Sequence, residues 1–156
     1  MDNDISIEKI KNTLFSSDIK FEELICLGIC GSLARGDFNE KSDIDIFIVV
    51  EDNKWKKELT EIWYHRLKKI LRNYHRGLTV LIYPVKGLKM IATWQVFSLA
   101  SEGIILYDRG NIKELFEKII EKTEEWGLVK KKYGRHPVWM FKDIEPGKEI
   151  ELKLED

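Results

Sequence analysis

The sequence predicts an α/β (α+β) fold, in which helices pack on a small mixed β-sheet and a β-hairpin follows at the C-terminus. Apolar runs of strand length alternate with segments whose apolar residues recur every three or four positions, as in amphipathic helices. Near the C-terminus, apolar residues alternate with charged ones, which is typical of a hairpin. The 156 residues suffice for one hydrophobic core. We therefore expect a single domain over residues 1–156, with a core at about 20–108 and a C-terminal helix and hairpin at 111–156.

The individual elements follow from these periodicities. Helices are expected at about residues 6–15, 55–74, 88–101 and 111–126. Strands are expected at 24–30, 46–50, 78–83 and 104–107, and the hairpin at 138–141 and 150–154 with a turn at 145–148. Asp52 or Asn53 is placed to cap the second helix, and Asn111 the last one. The expected order is αββαβαβα, followed by the hairpin.

The connection between the first two strands carries the residues that predict chemistry. Gly31 and Ser32 open a turn of small residues, while Asp43 and Asp45 stand two positions apart at the next strand, so both carboxylates project from one face. Paired carboxylates repel each other unless a cation lies between them, and a hard divalent cation suits oxygen ligands. The turn offers backbone N–H groups and a hydroxyl to phosphate oxygens. Together these features predict metal-assisted phosphoryl or nucleotidyl transfer.

A purely structural role for these residues is disfavoured. The two aspartates lead directly into the apolar run 46–50, so they lie at the entrance of a core strand rather than on a solvated edge. Other phosphate-binding motifs are absent, since the chain contains neither GxxxxGK[ST] nor GxGxxG.

The segment GSLARG, followed after five residues by SDIDIFIVV, resembles the signature of the nucleotidyltransferase superfamily that includes DNA polymerase beta. It is most similar to the minimal nucleotidyltransferases of archaea and bacteria, small proteins often paired with a HEPN-type partner. The motif runs from Gly31 to Asp45, and the wider resemblance covers roughly residues 24–108. The resemblance implies the nucleotidyltransferase fold.

The resemblance also implies a reaction. An acceptor hydroxyl on a protein or small molecule would attack the α-phosphorus of a nucleoside triphosphate, with ATP as the expected donor and AMP as the expected group transferred. Gly31 and Ser32 would bind the nucleotide, and Asp43 and Asp45 would bind Mg²⁺ or Mn²⁺ and act as the catalytic residues. Arg35 is placed either to contact phosphate or to pair with a neighbouring aspartate.

One departure from the family pattern leaves two hypotheses open. The family carries a third carboxylate on the next core strand, but residues 78–83 contain no acid and Thr79 takes that position. A hydroxyl is a weaker Mg²⁺ ligand than a carboxylate, although Asp37, Glu40 or Glu51 could substitute from a loop. The chain is therefore either a working nucleotidyltransferase or a catalytically weak, nucleotide-binding, antitoxin-like module that binds a HEPN-type partner. Self-association into a homo-oligomer is a further expectation.

Composition narrows the expected partners and compartment. The net charge of −1 gives no overall field that would attract nucleic acid, so direct binding is not expected. The basic cluster Lys130–Lys132 either contacts RNA or a phosphate-rich partner, or is a solvated helix end. Cys26 and Cys30 would lie about 13 Å apart on an extended strand, beyond disulfide reach, and are expected in the core. No signal peptide or transmembrane run is visible, which favours the cytoplasm and no membrane contact.

Overall fold

A mixed β-sheet of four strands lies at the centre of the fold in the computed structural model, which describes residues 4–91, 94–134, 136–142 and residue 154. Its strands are β1 (Cys26–Cys30), β2 (Ile44–Val50), β3 (Leu78–Pro84) and β4 (Ile104–Asp108). They are ordered β3–β2–β1–β4. Two more strands, β5 (Leu128–Tyr133) and β6 (His136–Phe141), form a separate hairpin. The predicted α/β fold with a mixed sheet and a C-terminal hairpin is confirmed.

The strand directions bring four strand ends to one edge of the sheet. β1 is antiparallel to β2 and to β4, and β2 is parallel to β3. The carboxyl end of β1 therefore lies beside the amino ends of the other three strands. The register pairs Cys30 with Asp45, Asp45 with Thr79, and Ile29 with Ile104. This edge is where the residues that predict chemistry meet.

Helices cover both faces of the sheet. They are α1 (Ile7–Phe15), α2 (Gly31–Arg35), α3 (Leu59–Ile70), α4 (Val85–Lys89), α5 (Gln95–Glu102) and α6 (Ile112–Glu125). α1 and α3 pack on one face, where Trp63 is fully buried, and α5 and α6 pack on the other, around Phe47 and Phe97. All five residues of β1 are consequently buried. Within the described residues, no helix is both long and apolar enough to cross a bilayer.

The predicted cap of the second helix is wrong. α3 begins at Leu59, because Asp52–Lys54 forms a 3₁₀ turn instead of leading into the helix. The Asp52 carboxylate accepts a hydrogen bond from the backbone N–H of Lys86, at 2.8 Å. This acid therefore ties the end of β2 to the start of α4.

Asn111 stands at the N-cap position of the last helix, as predicted, but the predicted side-chain cap does not form. Asn111 adopts a left-handed backbone conformation, with φ of 56°, and its side chain does not cap α6. The Asp108 carboxylate instead accepts hydrogen bonds from the backbone N–H groups of Ile112 and Lys113, at 3.0 and 2.9 Å. The side chain that caps α6 therefore lies three residues before Asn111, at the end of β4.

Two further boundaries differ from the prediction. The predicted turn at 31–36 is the short helix α2, which ends at Gly36 with φ of +91°. The single helix predicted at 88–101 is replaced by α4 and α5. The remaining helices and the four sheet strands occur in the predicted order.

The hairpin pairs a different strand than predicted. β6 contains the predicted strand 138–141, but its partner is β5, joined through a turn that contains Gly134 at φ of +64°. The predicted turn at 145–148 and the predicted strand at 150–154 lie outside the described residues, apart from Leu154. Lys130–Lys132 lies within β5, so the helix-end interpretation of this cluster is wrong.

Candidate functional site

An open pocket of about 290 Å³ lies at the edge where the four strand ends meet. β1 and α2 contribute Cys30, Gly31 and Arg35, β2 contributes Asp45, and β3 contributes Thr79. One side of α5 forms the opposite wall. The structure thus brings Gly31, Arg35 and Asp45 of the predicted site into one cavity.

Two glycines allow the aspartate side chains to pack directly against the backbone. Gly31 has φ of +68°, and a Cβ there would lie 1.9 Å from Oδ2 of Asp45. A Cβ on Gly77 would lie 2.0 Å from Oδ1 of Asp43. Only glycine leaves this space, so each carboxylate is seated against a glycine. Gly77 is absent from the predicted site, because a lone glycine before a strand carries no chemical signal.

Burial raises the pKa of the Asp45 carboxyl above its ordinary value. A hydrogen bond from the Thr79 hydroxyl lowers it, the nearby charge of Asp43 raises it, and the charge of Arg35 lowers it. Desolvation is the largest of these effects, so the ionised carboxylate is disfavoured as long as no cation is present. A divalent cation between Asp43 and Asp45 would offset both the desolvation and the like-charge repulsion.

The acidic side chains at this edge are suited to hold one divalent cation, with the carboxylates of Asp43 and Asp45 as its ligands. Thr79 pairs directly with Asp45 in the parallel register, so it occupies the place predicted for the missing third carboxylate. Asp37 is paired with Arg35, and Glu51, which follows the far end of β2, is paired with Arg109 at 3.6 Å. Within the described chain no group of three or more His, Cys, Asp or Glu side chains could hold a metal ion.

Arg35 lies between two carboxylates in the pocket wall. Its Nε is 3.4 Å from Oδ1 of Asp37, and its Nη1 is 3.6 Å from Oε2 of Glu102. Glu102 is missing from the predicted site because a lone acid at the end of a helix has no distinctive pattern. Only the topology identifies it, since the end of α5 leads into β4 at the same sheet edge as Asp45.

Arg76 fixes the loop that carries Asp43. Its Nη1 donates hydrogen bonds to the backbone carbonyls of Asn39 and Ser42, at 2.7 and 3.1 Å. Its guanidinium lies over the ring of Phe38, 4.8 Å from the centroid. Arg76 directly precedes Gly77, so the same segment holds the loop and provides the space for the Asp43 carboxylate.

The pocket extends along β3, away from the two aspartates. Leu81 and Tyr83 lie on the same face of β3 as Thr79. The Tyr83 hydroxyl donates a hydrogen bond to Oε1 of Gln95, at 3.2 Å, and Ser98 lies one helical turn further along α5. This end combines apolar surface with a few fixed polar groups, as small-molecule sites do.

Cys26 and Cys30 are buried, unpaired thiols on one face of β1, which confirms their predicted place in the core. Burial raises the pKa of the Cys26 thiol well above its ordinary value. Burial, and then the charge of Asp45, raises the pKa of the Cys30 thiol to about 12. Both groups are therefore protonated at neutral pH, and neither is a reactive thiolate.

We expect both thiols to resist alkylation in the folded protein and to react after unfolding. Cys26→Ala should lower the free energy of unfolding by about 1–2 kcal/mol through lost packing, with nucleotide binding retained. Iodoacetamide labelling at pH 8, followed by mass spectrometry, and chemical denaturation measure the two effects. Rapid labelling of the native protein would contradict this assignment.

Comparison with known proteins assigns the class. The family model of the nucleotidyltransferase domain matches residues 7–146, which is most of the chain. The chain therefore belongs to the nucleotidyltransferase domain family and is a nucleotidyltransferase. The resemblance seen between Gly31 and Asp45 in the sequence is confirmed.

Individual relatives agree with this family. A Methanocaldococcus jannaschii protein named "Putative protein adenylyltransferase" is 34% identical over 74 residues, which cover 47% of this chain and 70% of the relative. A crystal structure of a toxin–antitoxin with AMP-PNP has a TM-score of 0.52 at 20% identity, covering 78% of this chain and 89% of that one. A mutant of the toxin–antitoxin MntA–HpeT has a TM-score of 0.51 at 18% identity, covering 78% and 88%. These two structures share the fold.

Proposed function

We propose that this protein transfers a nucleotidyl group, with AMP as the expected group, from a nucleoside triphosphate to an acceptor hydroxyl on a protein or small molecule. The observation that carries the proposal is the seating of Asp45 against Gly31 and of Asp43 against Gly77. This arrangement places the Asp45 carboxylate in the pocket wall beside the first residue of α2, with Asp43 two residues earlier, directly before β2. The adenylyltransferase name of the M. jannaschii relative and the AMP-PNP in a structural neighbour support ATP as the donor.

In this proposal, each predicted residue has a separate task. Gly31 and Ser32 bind the triphosphate through backbone N–H groups and the serine hydroxyl. The Arg35 guanidinium donates to phosphate oxygens, where negative charge accumulates as the acceptor hydroxyl gives its proton to water, its oxygen bonds to the α-phosphorus, and pyrophosphate leaves. Asp43 and Asp45 would hold Mg²⁺ or Mn²⁺, and the bound ion would supply positive charge to offset that of the leaving pyrophosphate.

Transfer is tested with ATP labelled on either the α- or the γ-phosphate. The protein is incubated with Mg²⁺ or Mn²⁺ and with its native lysate as the source of acceptor. We expect label from the α-phosphate, and not from the γ-phosphate, to become attached to an acceptor as pyrophosphate is released. A folded protein that binds ATP but attaches α-label to nothing would contradict the transfer reaction and leave only binding.

Thr79 favours a second candidate function. Because a neutral hydroxyl stands where the family has a third carboxylate, activation of the acceptor hydroxyl is weakened. The chain would then act as an antitoxin-like module that binds ATP and a HEPN-type partner with little turnover. The toxin–antitoxin assemblies named for the two structural neighbours motivate this candidate. Pull-down of a partner without attached AMP would favour it over the enzyme.

Replacing Thr79 by Asp tests how far the missing carboxylate limits the site. Three acids would then surround one space, so the metal-free variant should lose about 1–3 kcal/mol of stability. Mg²⁺ should restore stability, because a ligand that binds only the folded state stabilises it. We also expect faster pyrophosphate release. Thermal melts over a range of Mg²⁺ concentrations and a pyrophosphate assay measure these effects.

Thr60→Asp is the matched control for this prediction. It adds the same charge at an exposed position on α3, outside the pocket. Its melting temperature should not acquire an Mg²⁺ dependence beyond that of the wild type. A Thr79→Asp protein that also ignores Mg²⁺ would show that the ion does not bind beside Asp45. Metal-stabilised Thr79→Asp without a gain in turnover would favour the binding module.

We further propose that the acceptor is presented by another chain, either a HEPN-type partner or a second copy in a homo-oligomer. The pocket is open to solvent, so a second chain can reach it. The cytoplasm is the proposed compartment, in which thiols such as those of Cys26 and Cys30 are kept reduced. Size-exclusion chromatography with light scattering, alone and with lysate, would identify which assembly forms.

A further inference from the structure

We infer that Lys130, on the C-terminal hairpin, is a positioning residue for nucleotide binding. Its role is to hold the Glu102 carboxylate, so that Arg35 remains available to the triphosphate. The inference rests on the proposed function, because the ligand that Arg35 awaits is the phosphate chain. Lys130 belongs to the basic cluster of β5, and the site predicted from the sequence does not include it.

The two oxygens of Glu102 face two different cations. Oε1 lies 2.6 Å from Nζ of Lys130, and Oε2 lies 3.6 Å from Nη1 of Arg35. The Glu102 side chain is only 11% exposed. A carboxylate with so little access to water requires a charged partner, and Lys130 is the partner at hydrogen-bonding distance.

Arg35 is held much more loosely than Glu102. Its distances to Asp37 and Glu102, 3.4 and 3.6 Å, exceed the ~3.2 Å limit of a normal N–H···O hydrogen bond. The guanidinium therefore retains donors for an incoming phosphate. When Arg35 turns to the phosphate, Glu102 stays paired with Lys130, so no buried charge is left alone. Without Lys130, Glu102 would compete with the phosphate for Arg35.

Lys130 is fixed in place by contacts from two elements. Its Nζ also donates to the hydroxyl of Ser101, at 3.3 Å, and lies over the ring of Trp139, 6.0 Å from the centroid. Lys131 is the next residue on β5, so its side chain projects from the opposite face, and it is exposed. The two lysines therefore carry the same charge on the same strand but lie on opposite faces of β5, and Lys130 is on the face that contacts Glu102.

The test compares ATP affinity in Mg²⁺ by calorimetry for the wild type, Lys130→Met and Lys131→Met. We expect Lys130→Met to weaken ATP binding about tenfold, as for the loss of one charged hydrogen bond to phosphate, and Lys131→Met to change it by less than about twofold. Lys130→Arg should restore the affinity, because it returns a cation to Glu102. Near-ultraviolet circular dichroism confirms that each variant is folded. Equal affinity of Lys130→Met and the wild type would overturn the inference.

A Glu102→Gln background separates positioning from simple loss of positive charge. Glu102→Gln should bind ATP at least as tightly as the wild type, because the competing carboxylate is gone. The double variant Glu102→Gln/Lys130→Met should then match Glu102→Gln. The same tenfold loss in both backgrounds, or weaker binding by Glu102→Gln alone, would overturn the inference. If the wild type bound no ATP, the proposed function would be overturned together with the inference. The outcomes for the variants bear on the inference alone.

Discussion

The double substitution Asp43→Asn/Asp45→Asn is expected to abolish the Mg²⁺ dependence of ATP binding and any transfer of AMP. The two carboxylates are the ligands that the site offers to a divalent cation, and amides carry no charge to offset that of the ion. Asparagine keeps nearly the same volume, so the seats against Gly31 and Gly77 remain filled. ATP titrations with and without Mg²⁺ should therefore become indistinguishable.

The same variant should be at least as stable as the metal-free wild type. Burial raises the pKa of Asp45 in the folded state above its unfolded value. The stability that this group provides is therefore present in full below the unfolded pKa, and is lost as the pH rises through the folded pKa. The amide does not ionise, so the variant should lack this loss. Thermal melts in chelator from pH 4 to pH 8 test this, and a variant that unfolds at neutral pH would show that the acids hold the fold together.

Replacing Gly31 by Ala is expected to weaken metal binding strongly and also to lower stability, because the added methyl group is unfavourable for two reasons. The backbone conformation at φ of +68° costs an L-residue about 1–2 kcal/mol. In addition, the new Cβ would lie 1.9 Å from Oδ2 of Asp45, so the carboxylate must move. We expect Mg²⁺ affinity to fall about 10–100-fold, the range for displacing a metal ligand from its support. Calorimetry and denaturation measure the two parts separately.

Gly127→Ala is the matched control for the Gly31 substitution. Gly127 also has positive φ, +71°, but a Cβ there would meet nothing within 4 Å. It should lose a similar amount of stability through backbone strain, with Mg²⁺ and ATP affinity unchanged. If Gly31→Ala lost stability alone and kept its Mg²⁺ affinity, the close approach to Asp45 would have no role in metal binding.

The sequence allowed much of the fold to be predicted, because periodicity is a local property. Four sheet strands and the amphipathic helices are recovered in order, and the contact of Thr79 with Asp45 follows from strand position. Helix ends are less predictable. Asp52 and Asp108 bond to groups that come together only in the folded chain, so the caps expected from Asp52 or Asn53 and from Asn111 do not form.

Site residues that are close together in the sequence could be predicted. Site residues that come together only through the pairing of strands could not. Gly31, Arg35, Asp43 and Asp45 form a compact pattern. Gly77, Arg76 and Glu102 reach the site only because β3 and β4 begin at the edge where β1 ends. Lys130 reaches it through a hairpin whose pairing differs from the predicted one.

The most direct measurement of the central claim is an ATP titration of the wild-type protein by calorimetry, in Mg²⁺ and again in chelator. Because Asp43 and Asp45 are the two carboxylates that the site offers to the ion, we expect ATP to bind with one site per chain and far more weakly once Mg²⁺ is removed. Equal affinity with and without Mg²⁺ would contradict the account, because Asp43 and Asp45 would then have no part in binding the nucleotide.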